Sequence, residues 1–268
     1  MDPMYIIFLS CIAIGLLVGL LAGMLGIGGG LIIVPALTYL MVHFLGLNPD
    51  TVMPMAIATS LSTIIFTGAS SAWAHYRLGN LRQDIVVWTG IGITVGAVAG
   101  AQVASSISGH TLKNVFAVLV MLIALQMVFG KRKASAHSAN QGVLASVGAG
   151  TGFVSALMGI GGGALLVPAL IWFQVNIRHA IGCAALSGLV IAVFGTASFI
   201  FSGFDLPDLP DGSIGYVYLP ATFGIVATSI FTAALGARLG QRMNTGVLKK
   251  ILAGLLVLVS IRMIVGIE

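Results

Sequence analysis

The chain has 268 residues, 58% of them hydrophobic and 7% charged, with a formal net charge of +5. Soluble domains carry about 25% charged residues, so a water-exposed globule is excluded. The two isolated cysteines, Cys11 and Cys183, supply neither a disulfide framework nor a metal motif, and the basic residues fall at the ends of apolar segments without a basic-aromatic patch, which excludes nucleic acid as a partner.

In chain order, uncharged apolar stretches run over 5–25, 30–49, 51–76, 85–109 and 114–130. After a polar linker, Lys131 to Gln141 ("KRKASAHSANQ"), they resume at 142–177, 179–204, 212–237 and 251–261. A helix needs about 20 such residues to cross a bilayer, so the expected fold class is an all-α polytopic membrane protein. Met1-Asp2-Pro3-Met4 lacks a positive n-region and the first apolar run is too long for an h-region, so no removable signal peptide is expected.

Gly26 to Leu37 reads "GIGGGLIIVPAL" and Gly159 to Leu170, offset by 133 residues, reads "GIGGGALLVPAL"; nine of the twelve positions are identical. Gly79-Asn80-Leu81 answers Gly212-Ser213-Ile214 at the same offset, and Ala56–Ser62 ("AIATSLS") answers Ala180–Ser187 ("AIGCAALS") with one gap. The chain therefore divides into a first repeat (1–130), a cytoplasmic linker (131–141) and a second repeat (142–268). Each repeat holds five apolar segments, one before its glycine break, one after it and three more (the break divides the 142–177 stretch in two), and an odd number inverts the second repeat relative to the first. With the linker inside, ten of the twelve Lys and Arg residues fall on the cytoplasmic side, while six of the seven acids fall outside. That is a positive-inside pattern, and it places both termini outside the cytoplasm.

Three consecutive glycines in an apolar run open the backbone. Packing accounts for scattered glycines such as Gly92, Gly96 and Gly100, because small residues line helix contacts in membranes; it accounts less well for a run that covers all faces. The alternative is a broken helix whose next segment, starting near Gly30 or Gly163, aims its positive end and free N–H groups at one spot, an anion site. Two such breaks in inverted repeats match the way secondary transporters build a midplane site. Pro35 and Pro168 are expected to kink the helices that follow. The flanking segments read equally as full spans or as re-entrant hairpins, with Ala164–Val175, twelve residues before Asn176, favouring a partial crossing.

The candidate substrate-binding residues are Gly28, Gly29, Gly30, Gly161, Gly162 and Gly163, with Thr59, Ser62 and Ser187 as repeat-related hydroxyls facing the pathway. Thr59 and Ser62 belong to a cluster with Ser60 and Thr63. No Asp or Glu lies inside an apolar segment, which argues against a carboxylate relay or a sodium cage and suits an anion. No cofactor or metal is expected. His75, beside Tyr76 and Arg77, is either an interfacial anchor or the group that couples transport to protons. Arg262, twelve residues past Lys250, either snorkels outward or serves as an electrostatic lure for anions.

The doubled "GIGGG…VPAL" break in two five-segment halves resembles the sulfite exporter TauE/SafE family of bacterial membrane permeases, over residues 5 to 266. The resemblance implies transport of small sulfur-containing anions, sulfite or organosulfonates, across the inner membrane. An anion channel of the same fold is the alternative. A hydrolase built on Ser71 and His75, four apart on one helix, has no visible oxyanion donors and no use for an inverted repeat.

The topology is open to direct measurement. A cysteine at His137→Cys is expected to react with a membrane-impermeant maleimide only from the cytoplasmic side. Labelling from outside intact cells would overturn the inverted arrangement.

Overall fold

The computed structural model describes residues 3–25, 28–129, 140–207 and 209–240, and seven helical residues between 253 and 263. Nine helices and one short hairpin follow in order among them: α1 (Pro3–Leu25), α2 (Gly30–Leu45), α3 (Pro49–Arg77), α4 (Gln83–Ser106) and α5 (Gly109–Phe129) precede the linker, while α6 (Gln141–Met158), α7 (Gly163–Trp172), α8 (Ile177–Gly203), β1 (Ser213–Ile214), β2 (Val217–Tyr218) and α9 (Leu219–Gly240) follow it. Residues 131–139 of the linker, Arg262 and five residues of the last apolar stretch lie outside the described residues. Ser260 in that stretch donates from Oγ to the Ala117 carbonyl of α5 at 2.7 Å. Helices α3, α4, α5, α6 and α8 are each long and apolar enough to cross a membrane, as expected of a multi-pass membrane protein. Ten-residue α7 is only about 15 Å long, half the roughly 30 Å hydrocarbon core.

Helix starts are written locally. Asn48, Asn140 and Asn176 cap α3, α6 and α8, their side-chain oxygens accepting from the N–H groups of Asp50, Val143 and Arg178 at 2.8–3.0 Å. Asp50 in turn accepts from the N–H of Gly109 at 2.6 Å, so an acid at one end of α3 complements the positive end of α5. Pro35 lies inside α2, which nonetheless continues to Leu45.

The 212–237 stretch departs from the all-helical expectation. Gly212 and Gly215 adopt left-handed backbone, φ 86° and 52°, and fold 213–218 into the hairpin, pairing Ser213 with Tyr218 and Ile214 with Val217; α9 begins only at Leu219. Such φ values favour glycine and suit a tight turn. The hairpin is seated on α8: Tyr216 packs edge-to-face on Phe199, and burial pushes its phenol pKa up.

At the centre lie α3 and α8. Every position of α3 from Val52 to Ile64 is buried, as befits a helix surrounded by others. The two helices run antiparallel: Leu61 meets Gly195, while Asn80, past the end of α3, meets Gly182 near the start of α8. Around them the broadest packings are α1 with α9 and α4 with α6, each parallel and each lined by glycine. A Cβ on Gly92, Gly96 or Gly100 of α4 would overlap a carbonyl of Ala145, Ala149 or Phe153, and one on Gly148 or Gly152 of α6 would meet those of Thr89 or Ile93. Across α1 and α9, Gly15 and Gly19 meet Thr228 and Thr232, whose hydroxyls donate to the carbonyls of Ile12 and Gly15 at 2.9 and 3.3 Å. The role expected of Gly92, Gly96 and Gly100 is thus the one they fill.

Gly96→Val and Gly148→Val are expected to abolish a monodisperse folded peak in detergent, because carbonyls stand where the new side chains must go. Gly90→Ala and Gly150→Ala, with nothing within 4 Å of a Cβ, should melt within about 2 °C of the native chain.

Candidate functional site

Both glycine runs lie between helices, as the sequence predicts: α2 starts at Gly30 and α7 at Gly163. The breaks meet. A Cβ on Gly28 would stand 3.4 Å from the Gly161 Cα, and one on Gly30 would overlap the Gly159 carbonyl oxygen, so the two backbones cross in contact. From α3, Ile57 backs onto Gly159 and Ile64 onto Gly161; from α8, Gly188 faces Gly161 and Gly162, and Ile191 faces Gly162. The junction is thereby enclosed between the two central helices.

Contact explains more of each run than one-face packing allows. An irregular segment has neighbours on several sides, and successive glycines use them: Gly28 meets Gly161, Gly30 meets Gly159, and Gly162 meets Ile191. The breaks also differ in conformation. Gly28 and Gly29 are both left-handed, φ 78° and 77°, whereas in the second break Gly159 is left-handed at 64° and Gly162 is right-handed at −48°.

In α2 the carbonyl of Gly29 takes the N–H groups of Ile32 and Ile33; in α7 that of Gly162 takes those of Leu165 and Leu166. The N–H groups of Gly30 and Leu31, and of Gly163 and Ala164, therefore have no partner inside their own helices. Two positive helix ends converge on this junction. Every buried polar side chain among the described residues is Ser or Thr, so no buried carboxylate opposes them.

The predicted hydroxyls divide. Thr59 Oγ1 accepts from the Tyr218 N–H at 3.0 Å, and Ser62 Oγ lies 2.7 Å from both the Thr59 carbonyl and Thr222 Oγ1. These two face the hairpin and α9, one helix face away from the junction. Ser187 is buried beside Gly188. Ser60, a member of the same cluster but not among the predicted binding residues, touches a break: its Oγ donates to the Gly159 carbonyl at 2.8 Å. Gly188 carries no sequence signal of its own, being one of four glycines scattered along α8.

His75 lies eleven residues, about 16 Å, beyond Ile64 along α3 and is not at the junction. Its Nδ1 is 3.2 Å from Asn80 Nδ2, and the Asn80 carbonyl accepts from His179 Nδ1 at 3.1 Å. The loop after α3 is thus held to α3 by His75 and to α8 by His179, with His75 engaged by Asn80 and Ser71 exposed. A cavity of about 330 Å³ lies elsewhere, between α5, α6 and α7; its walls are mainly Leu119, Leu122, Ile123 and Val154, and Thr151 and Leu165 connect it to Gly162.

A family model described as sulfite exporter TauE/SafE matches residues 11–263. A probable membrane transporter protein of Haemophilus influenzae is 38% identical, covering 97% of this chain and 99% of its own length. Similar probable membrane transporter proteins occur in Bacillus subtilis (YunE, 27% identical; 96% of this chain, 97% of the relative) and Methanocaldococcus jannaschii (26%; 91% of each). No solved structure matches.

The asymmetry of the breaks has a measurable result. Gly28→Ala must hold an L-residue in the left-handed region at a cost of about 1–2 kcal/mol, a fall of several degrees in melting temperature. Gly161→Ala, whose Cβ would meet the Ile64 methyl at 3.4 Å and the Cα atoms of Gly28 and Gly188 at 3.8 and 3.9 Å, all ordinary contacts, should melt within about 2 °C of native.

Proposed function

The chain belongs to the sulfite exporter TauE/SafE family and is a membrane transporter; from that membership and the meeting of its two glycine breaks we propose that it carries small sulfur oxyanions, sulfite or a short organosulfonate, across the bacterial inner membrane. The observation that carries this reading is the backbone contact of Gly28–Gly30 with Gly159–Gly163 in an interior whose buried polar side chains, among the described residues, are hydroxyls alone. Each helix end offers about half a positive charge, so the ends of α2 and α7 together balance one monoanion. Sulfonate oxygens are weak acceptors, and capture by several N–H groups without a buried Arg allows release on the far side.

Inverted repeats fit the same reading. Antiparallel α3 and α8 occupy corresponding places in the two halves, and α1 packs on α9 as α6 packs on α4, each the first helix of one half against the fourth of the other. The length of α7 favours re-entrant breaks that enter and return. Irregular backbone at such depth is tolerated when protein covers it, which α3 and α8 do. Breaks held in contact favour a carrier over a standing pore: an anion enters only when the two backbones part. Gly28–Gly30 and Gly161–Gly163 hold the ligand, Ser187 borders them, and Thr59 and Ser62 support α3 from its other face. Any proton coupling runs through His75, at the cytoplasmic end, or through sulfite itself.

Gly162→Val gives the cleanest test. Its backbone angles, φ −48° and ψ −8°, suit an L-residue, and only the Ile191 Cδ1 atom, 2.9 Å from the new Cβ, must yield. In proteoliposomes, radiolabelled sulfite uptake should fall at least about tenfold, the loss expected from one charge-assisted hydrogen bond, while the melting curve stays near native. Native protein that moves neither sulfite nor a sulfonate, with or without sodium, would overturn the proposal.

A further inference from the structure

Ser60 sits in the middle of α3 and is fully buried. A serine or threonine inside a membrane helix ordinarily bonds a carbonyl of its own preceding turn, and its neighbours do so: Thr63 donates to Ser60, Thr67 to Thr63, and Ser62 to Thr59. Ser60 instead reaches 99 residues along the chain, to the Gly159 carbonyl.

That carbonyl caps the end of α6, where Gly159 turns left-handed and the helical ladder has stopped. It has no later N–H of its own helix to accept from, so the Ser60 hydroxyl satisfies an orphan acceptor in a dry interior. The same oxygen is the surface against which Gly30, the first residue of α2, is packed, since a Cβ there would overlap it. One hydroxyl therefore fixes the end of one break and the wall that seats the other. The second repeat offers no equivalent, because Ala185 stands at the matching place of α8.

We propose that Ser60 is the positioning residue of the substrate site, pinning the second glycine break through the Gly159 carbonyl so that this break is the fixed half and the first, with its consecutive left-handed glycines, the half that moves. The assignment of the breaks as the substrate site rests on the function proposed above; the pinning does not.

The test compares Ser60→Ala with Ser62→Ala, which removes an equally enclosed hydroxyl from the same helix but one bonded to Thr222. Hydrogen exchange of the purified full chain in detergent reports the break directly, and titration with sodium sulfite reports the site. Ser60→Ala should speed exchange about tenfold in peptides covering 159–166 and weaken sulfite binding about tenfold, with Ser62→Ala changing neither. Ser60→Cys keeps the volume, weakens the donor and should give the same pattern if the alanine variant does not accumulate. Exchange that stays native at 159–166, or rises equally throughout the chain, overturns the pinning role. Faster exchange confined to the break with native sulfite affinity upholds the pinning and sinks the breaks as the sulfite site. Absence of sulfite binding by the native chain likewise counts against the function alone, since exchange still decides on Ser60.

Discussion

A peptide bond in hydrocarbon has no water to turn to, and every N–H and carbonyl left out of a helix must be met by protein. Two stretches of this chain leave the helix at the core of the bundle. The rest of the architecture is arranged around covering them: α3 and α8 close over the junction from opposite sides, each contributing buried, small or aliphatic positions to it. The cover is tight because glycine lets backbones approach to contact, and because α3 offers a hydroxyl where the end of α6 leaves a carbonyl unanswered.

Close approach is also what holds the outer helices. Apolar side chains gain little by leaving lipid for protein, so helix association relies on packing and on hydrogen bonds between helices. The α4–α6 contact uses glycine on both partners. The α1–α9 contact also has glycine on both partners, Gly15 and Gly19 facing α9 and Gly224 and Gly236 facing α1, and adds Thr228 and Thr232, which reach across to carbonyls of α1. One arrangement relies on proximity; the other adds directional bonds to it. Both place small residues four apart, the spacing that keeps them on one helix face.

Much of this was legible in the sequence. Apolar length located the spans, and the doubled glycine run placed the starts of α2 and α7 at Gly30 and Gly163. Small size marked Gly92, Gly96 and Gly100 as contact residues. What failed to show has physical causes. The hairpin at 213–218 is too short for its alternation to stand out against the flanking apolar residues, and only Gly212 and Gly215 hint at it. Which hydroxyl meets a break depends on the rotation of α3: Thr59 and Ser60 are adjacent yet point about 100° apart on a helix, one toward the hairpin and one toward Gly159. Repeat pairing sets Ser62 against Ser187 but does not single out Ser60, whose partner is a backbone carbonyl rather than a side chain. The glycine runs were harder to read, because a segment that is not a helix has no single face from which to judge its packing.

The partnership of α1 with α9 bears on how the chain is made. Helix α1 leaves the ribosome first, yet the surface that fills its glycine grooves ends at Gly240, more than 200 residues after Leu25. At roughly 5–20 residues per second, α1 waits for the order of 10 to 40 s in the lipid before its mate is synthesised. Its open grooves at Gly15 and Gly19 are meanwhile free to accept a wrong helix, from this chain or another. Assembly is therefore completed from the end of the chain backward, and a ribosome that stalls before α9 leaves an inserted protein whose first helix has nothing to close against.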